Sequence, residues 1–197
     1  MIPLLVVRCT FVPKNNHRMR EPLFFIALLP SDDIQREVTN FKKDCAHRFN
    51  ASHALKTPPH LTLIPPFPWP RTRLGELGDA LDDFALEQSA FEVELYNFNC
   101  FKPRVIFVDV VENQQLKDLQ SALFYYLEKS VNLTDERGNR FHPHMTIAHR
   151  DLQHWIFPEA WAYFSKMEYR RKFQVDRISL MEHVHGRWEI YEEYVFY

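Results

Sequence analysis

The sequence predicts an α+β fold, and three observations carry that expectation. Apolar residues recur at helical spacing in some segments and alternate, or run on without a break, in others. In order, these segments read strand, helix, strand, helix, two strands, helix, strand, helix, two strands. Hairpins are thus mixed with helices instead of the strict alternation that builds a doubly wound parallel sheet. Gly is also scarce, 4 of 197 residues, and no Walker or dinucleotide fingerprint is present.

Residues 1–20 read as an N-terminal extension, because Pro13, Lys14, Asn15, Asn16, His17 and Arg18 have a linker composition. The globular pattern, expected as one domain over 21–197, begins with the apolar run Leu23 to Leu29, a buried strand ending at Pro30. Ser31, Asp32 and Asp33 supply an N-cap and an acidic first turn for a helix. That helix places Ile34, Val38, Phe41 and Cys45 on one face. A short strand, His60 to Ile64, is then confined by Pro58 and Pro59 before it and by Pro65, Pro66, Pro68 and Pro70 after it. Leu74, Leu77, Leu81 and Phe84 mark a second helix. Phe91 to Leu95 alternates as a half-solvated strand does, and Arg104 to Val111 is its partner across a turn near Lys102-Pro103. A third helical stripe runs from Leu116 to Leu127, followed by a polar loop over 134–140 and a strand from His144 to Ala148. A short helix from Pro158 to about Tyr169 comes next. Two long strands close the chain, Phe173 to Val184 and Trp188 to Phe196, as a hairpin hinged at His185-Gly186.

Composition narrows the function. A formal net charge of -2 disfavours a protein that grips long nucleic acid through many phosphates. It suits a small substrate, or the end of a polynucleotide held in a local basic cleft. Three widely spaced cysteines, Cys9, Cys45 and Cys100, form neither a zinc knuckle nor a disulfide framework, so a reducing, cytoplasmic setting is expected. No apolar stretch approaches the length of a membrane span or of a normal signal segment. No membrane association and no stable protein partner are implied.

The informative feature is a repeated word. Pro59-His60-Leu61-Thr62-Leu63 returns as Pro143-His144-Met145-Thr146-Ile147. The chain's His and Thr content predicts only ~0.4 chance His-x-Thr triplets, and the flanking Pro and aliphatic residues make each match far rarer. On a strand, residues i and i+2 share a face. His60 and Thr62 therefore point one way while Leu61 and Leu63 enter the core, and the second copy repeats this. With the two strands side by side, two imidazoles and two hydroxyls line one floor. Such a set suits displacement at phosphorus. One imidazole acts as base on the entering oxygen and the other as acid on the leaving oxygen. The hydroxyls hydrogen-bond the non-bridging oxygens. Which histidine is base and which is acid is not decided by the sequence.

The two motifs in this strand context resemble those of the 2H phosphoesterase superfamily, and within it the 2′-5′ RNA ligase and cyclic phosphodiesterase branch. The resemblance runs from about Leu23 to the C-terminus and includes Phe24 to Pro30, Pro103 to Phe107, Phe141 to Ala148 and the closing hairpin. It implies a bilobal α+β fold with two pseudo-symmetric antiparallel sheets, flanked by helices, around a central cleft. It also implies action on 2′,3′-cyclic phosphates, related cyclic nucleotides or 2′-5′ linkages, on a nucleotide or RNA-end substrate, with no metal or other cofactor. His60 and His144 would then be catalytic, and Thr62 and Thr146 phosphate-binding. Two departures bear on substrate choice: the proline-aromatic loop after the first motif, and His149-Arg150 after the second, where relatives often carry basic residues.

Further candidates for substrate contact are Arg150, His149, Arg104 and Arg140, which could meet a phosphate, and Phe67, Trp69 and Phe141, which could stack on a base. His17, His47, His53 and His154 read as structural or solvated. His142, His144, His149, His183 and His185 raise a metal-site alternative, but no acidic ligand lies among the first three. Two other function classes stay open: a nucleotide- or RNA-binding module using the same cleft without turnover, and a metal-dependent hydrolase.

Overall fold

Two four-stranded antiparallel sheets organise the chain, as seen in a computed structural model that describes residues 21–134 and 141–197. The extension expected over 1–20, and Arg140 with most of the polar loop before it, lie outside the described residues. The first sheet has the order β2-β1-β7-β8, from β1 (Leu23–Leu28), β2 (Leu61–Pro68), β7 (Arg177–Val184) and β8 (Arg187–Val195). The second has the order β5-β4-β3-β6, from β3 (Phe91–Phe101), β4 (Val105–Val110), β5 (His144–Ala148) and β6 (Arg170–Val175). The described residues also form helices α1 (Asp32–Phe49), α2 (Leu74–Leu86), α3 (Gln114–Val131) and α4 (Phe157–Phe164). The fold is α+β, with two lobes of matching design: each sheet carries one copy of the repeated word on an edge strand.

The helices form where the stripes place them. α1 buries Ile34, Val38, Cys45 and Phe49 at 3.6-residue spacing and ends at Asn50, whose left-handed φ of 52° suits Asn. In α3 the Asn113 side chain accepts from Leu116 N–H at 3.0 Å, and Leu116, Leu119, Leu123 and Leu127 face inward. The main core is continuous between the lobes. Phe24, Ile26 and Leu28 of β1 join one buried cluster with Val93, Leu95, Ile106 and Val108 of the other sheet.

Three expectations need correction. The strand at the first motif is not stopped by its prolines: β2 continues through Pro65 and Pro66 to Pro68. β2 is an edge strand paired only with β1, so a missing N–H need not break a central ladder. α4 ends at Phe164, short of Tyr169, and Arg170 already belongs to β6. The strand expected from Phe173 to Val184 is two strands in different sheets. β6 pairs with β3 and β7 pairs with β1, and the chain crosses between the sheets at Asp176. The inward residues change phase there: Phe173 and Val175 are odd-numbered, whereas Ile178 and Leu180 are even-numbered. Because the side-chain period of a strand is two, that shift marks the break.

Candidate active site

The two edge strands that carry the motifs, β2 and β5, belong to different sheets and meet edge to edge across the cleft, in contact but not hydrogen-bonded into one sheet. Along each, the alternation sorts side chains as the i, i+2 spacing requires. Leu61, Leu63, Met145 and Ile147 are at most 1% exposed. His60, Thr62, His144 and Thr146 are partly exposed on the other face. His60 is the residue just before β2, and His144 opens β5.

Both imidazoles are held in the same way. His60 Nδ1 lies 2.7 Å from the Pro58 carbonyl oxygen, and His144 Nδ1 lies 2.7 Å from the His142 carbonyl oxygen. A carbonyl can only accept, so in each ring Nδ1 carries the proton and donates it. Nε2 is left as the nitrogen available for chemistry, a lone pair in the neutral ring and a donor in the cation. Packing fixes the planes. The Phe25 ring lies 4.9 Å from His60, and Phe107 and Phe101 lie 5.0 and 5.1 Å from His144.

Burial pushes His60 down from its ordinary value of 6.5 to about 3, against the opposing pull of the Pro58 carbonyl; nearby Lys42, His144 and His149 lower it further. His144 is also lowered, mainly by burial, while its neighbour Asp109 acts in the opposite sense. The two rings thus start neutral, His60 more firmly so.

A pocket opens at this meeting of strands. Its lining includes His60, Thr62 and Thr146, together with Phe25 and Trp188 and with Lys42, His53, Thr57, His149 and Arg150. His144 is not among the lining residues; it stands two residues along β5 from Thr146, on the same face. The enclosed part holds about 190 Å³. That is less than the roughly 300–1,000 Å³ of a typical small-molecule site, so a nucleotide-sized ligand would extend beyond it.

Of the other candidates, His149 and Arg150 line the pocket. Arg104 is exposed at the β3–β4 turn, and Phe141 packs partly buried against the core; neither lines the pocket. Phe67 and Trp69 are 5% and 4% exposed, with their rings perpendicular and 6.2 Å apart, inside the core. The aromatic groups facing the pocket are instead Phe25 and Trp188, which pack edge to face at 4.7 Å. Sequence reasoning also left out Lys42, and it read His53 as structural or solvated, whereas His53 lines the pocket. Lys42 had a legible signal: it lies four residues after Val38 and three before Cys45, on the buried face of α1. Among the described residues, no three His, Cys, Asp or Glu side chains converge as metal ligands do. Nor is any helix long and apolar enough to cross a membrane.

Fold and paired motifs together define a two-lobed phosphoesterase class. A family model described as the 2′-5′ RNA ligase superfamily matches residues 30–187, and the chain belongs to that superfamily. A protein of Geobacillus sp. (strain WCH70) named "Putative phosphoesterase" is 30% identical over 173 residues, covering 86% of this chain and 94% of its own. Among solved structures, E. coli LigT in apo form superposes with a TM-score of 0.62 at 16% identity, over 89% of this chain and 98% of its own. TT0787 of Thermus thermophilus gives 0.62 at 17% identity, over 88% and 97%. At such identities these two structures show the shared fold.

Proposed function

We propose that this protein is a phosphoesterase that opens a cyclic phosphate, a 2′,3′-cyclic nucleotide or a related group, or transesterifies a 2′-5′ linkage at an RNA end. His60 and His144 are the acid–base pair, and Thr62 and Thr146 hydrogen-bond the non-bridging oxygens. The observation that carries this reading is the matched tethering of the two rings by carbonyls 2.7 Å from each Nδ1, which leaves two Nε2 atoms for proton transfer on opposed strands. His60, with the more depressed proton affinity, is the base: its Nε2 takes the proton of the attacking water or hydroxyl. His144, beside Asp109, is the acid: its protonated Nε2 passes a proton to the departing ester oxygen. The oxygen–phosphorus bond to the nucleophile forms as the bond to the leaving oxygen breaks, and the pair ends with its protons exchanged. Trp188 and Phe25, packed edge to face in the pocket lining, offer an aromatic surface for a base. LigT has been crystallised with 3′-AMP, ATP and NADP+, which agrees with a nucleotide ligand for the fold.

The test is a phosphorus NMR panel of 2′,3′-cyclic nucleotides, cyclic ADP-ribose phosphate and 2′-5′ oligonucleotides, run with and without EDTA. Turnover that persists in EDTA and disappears in His60→Ala and His144→Ala supports the reading. Full activity in the double variant refutes it.

A further inference from the structure

Part of the pocket lining has a chemistry the acid–base pair does not use. It is built from Lys42 on α1, His53 and Thr57 in the segment before the first motif, and His149 and Arg150 where the chain leaves β5. No Asp or Glu is among the residues lining the pocket. Lys42 is 2% exposed, and its Nζ donates to the Thr57 carbonyl at 2.8 Å. One carbonyl answers one of the three ammonium donors, and among the described residues no carboxylate acts on this amine. A buried ammonium without a counter-charge is costly unless an anion completes it. Burial accordingly holds Lys42 down at about 7, a value that a bound anion would raise.

The rest of this lining is fixed in place. Asp151 Oδ2 accepts from the backbone N–H groups of Ser52 and His53 at 2.8 and 2.7 Å. This clasp joins the segment before the first motif to the turn after the second. It sets the His53 and His149 rings 5.0 Å apart, edge to face, in the pocket lining. Arg150 is held with a φ of 53°, in the left-handed region that an Arg rarely adopts. Burial lowers both the His53 and His149 rings, His149 to about 4, so they are neutral donors and the charge comes from Lys42 on α1 and Arg150 in the post-motif turn. The groups assigned to the scissile phosphate come from the paired His-x-Thr words.

We propose that Lys42, His53, His149 and Arg150 form a second anion subsite, so that the substrate carries a further phosphate beside the one under attack. The inference rests on the phosphoesterase reading above and deepens it. On a 2′,3′-cyclic nucleotide both secondary hydroxyls are taken by the ring, so the further phosphate sits on the 5′ oxygen. It is a 5′-phosphate monoester, with three terminal oxygens, or the internucleotide phosphate of an RNA 3′ end, with two; both present anionic phosphoryl oxygens to the subsite.

Steady-state kinetics on the full chain test this with three substrates: adenosine 2′,3′-cyclic phosphate, its 5′-phosphorylated form, and a diadenylate ending in a 2′,3′-cyclic phosphate. Charge-assisted contacts of this number should raise kcat/KM for one or both phosphate-bearing substrates by about 10- to 100-fold, mainly through KM. In Lys42→Met that preference should fall to within about twofold. If Lys42→Met does not fold by circular dichroism, His53→Gln replaces it and should cut the preference several-fold. A gain on the monoester alone or on the diadenylate alone supports the subsite and names its source. Turnover of all three substrates with equal kcat/KM overturns the subsite and leaves the phosphoesterase reading standing. If none is turned over, the phosphoesterase reading fails, and calorimetry with inorganic pyrophosphate decides the subsite by itself. Binding that weakens at least tenfold in the Lys42 or His53 variant supports it, and no binding overturns it.

Discussion

Acidifying the protein from pH 7 to pH 5 should destabilise it partly through one ring, His60. In the folded state burial keeps this imidazole neutral down to about pH 3, whereas the unfolded ring takes up a proton near its ordinary 6.5. Between those two values the unfolded chain binds one more proton, so stability falls as pH drops through the window. The full slope is about 1.4 kcal/mol per pH unit. From 6.5 down to pH 5 this amounts to about 2 kcal/mol. His60 is partly exposed through the pocket, and water there screens the charge, so a contribution of about 1–2 kcal/mol is expected. The comparison protein is His60→Asn, whose Nδ2 takes the place of Nδ1 as donor to the Pro58 carbonyl but which has no proton to gain. Urea unfolding of both proteins at pH 7 and pH 5, followed by fluorescence and circular dichroism to check two-state behaviour, isolates the term. His53, His144 and His149 remain in both proteins and cancel to first order. The wild type should lose about 1–2 kcal/mol more than the variant. Parallel losses, equal to within about 0.5 kcal/mol, would refute the claim that the folded site keeps His60 neutral.

Three further outcomes follow from the same geometry. His60→Ala and His144→Ala should each lower kcat by at least about 100-fold with little change in KM, since proton transfer is lost and phosphate binding is not; unaltered kcat in either would remove that ring from the mechanism. The pH profile of kcat/KM should decline as pH rises from 6 to 8, because the acid form of His144 is lost above a proton affinity that burial has lowered. A rate that climbs over this range would contradict the assignment. Asp151→Ala removes two charge-assisted hydrogen bonds to the Ser52 and His53 amides. It should cost about 2 kcal/mol in urea unfolding, whereas an unchanged midpoint would mean the clasp is not needed to join the two segments.

What the sequence determined by itself was local chemistry and local period. The His-x-Thr word, on a strand whose period is two, already committed Leu61, Leu63, Met145 and Ile147 to the core and left His60, Thr62, His144 and Thr146 on the other face. Helix stripes gave α1, α2 and α3 their buried faces for the same reason: periodicity is a property of neighbouring residues. Tertiary structure decided what depends on partners far away in the chain. Prolines that would have broken a central strand sit inside β2 because β2 is an edge. The strand after Phe173 divides at Asp176 because its halves pair with different sheets. Phe67 and Trp69 turned inward, and Phe25 and Trp188 became the pocket's aromatic wall. Lys42, a misfit on an apolar helix face, gained a meaning only when α1 was packed against β5 and the segment before the first motif. Burial and the charges brought around it, neither of which is a local property, set the proton affinities of Lys42 and His60.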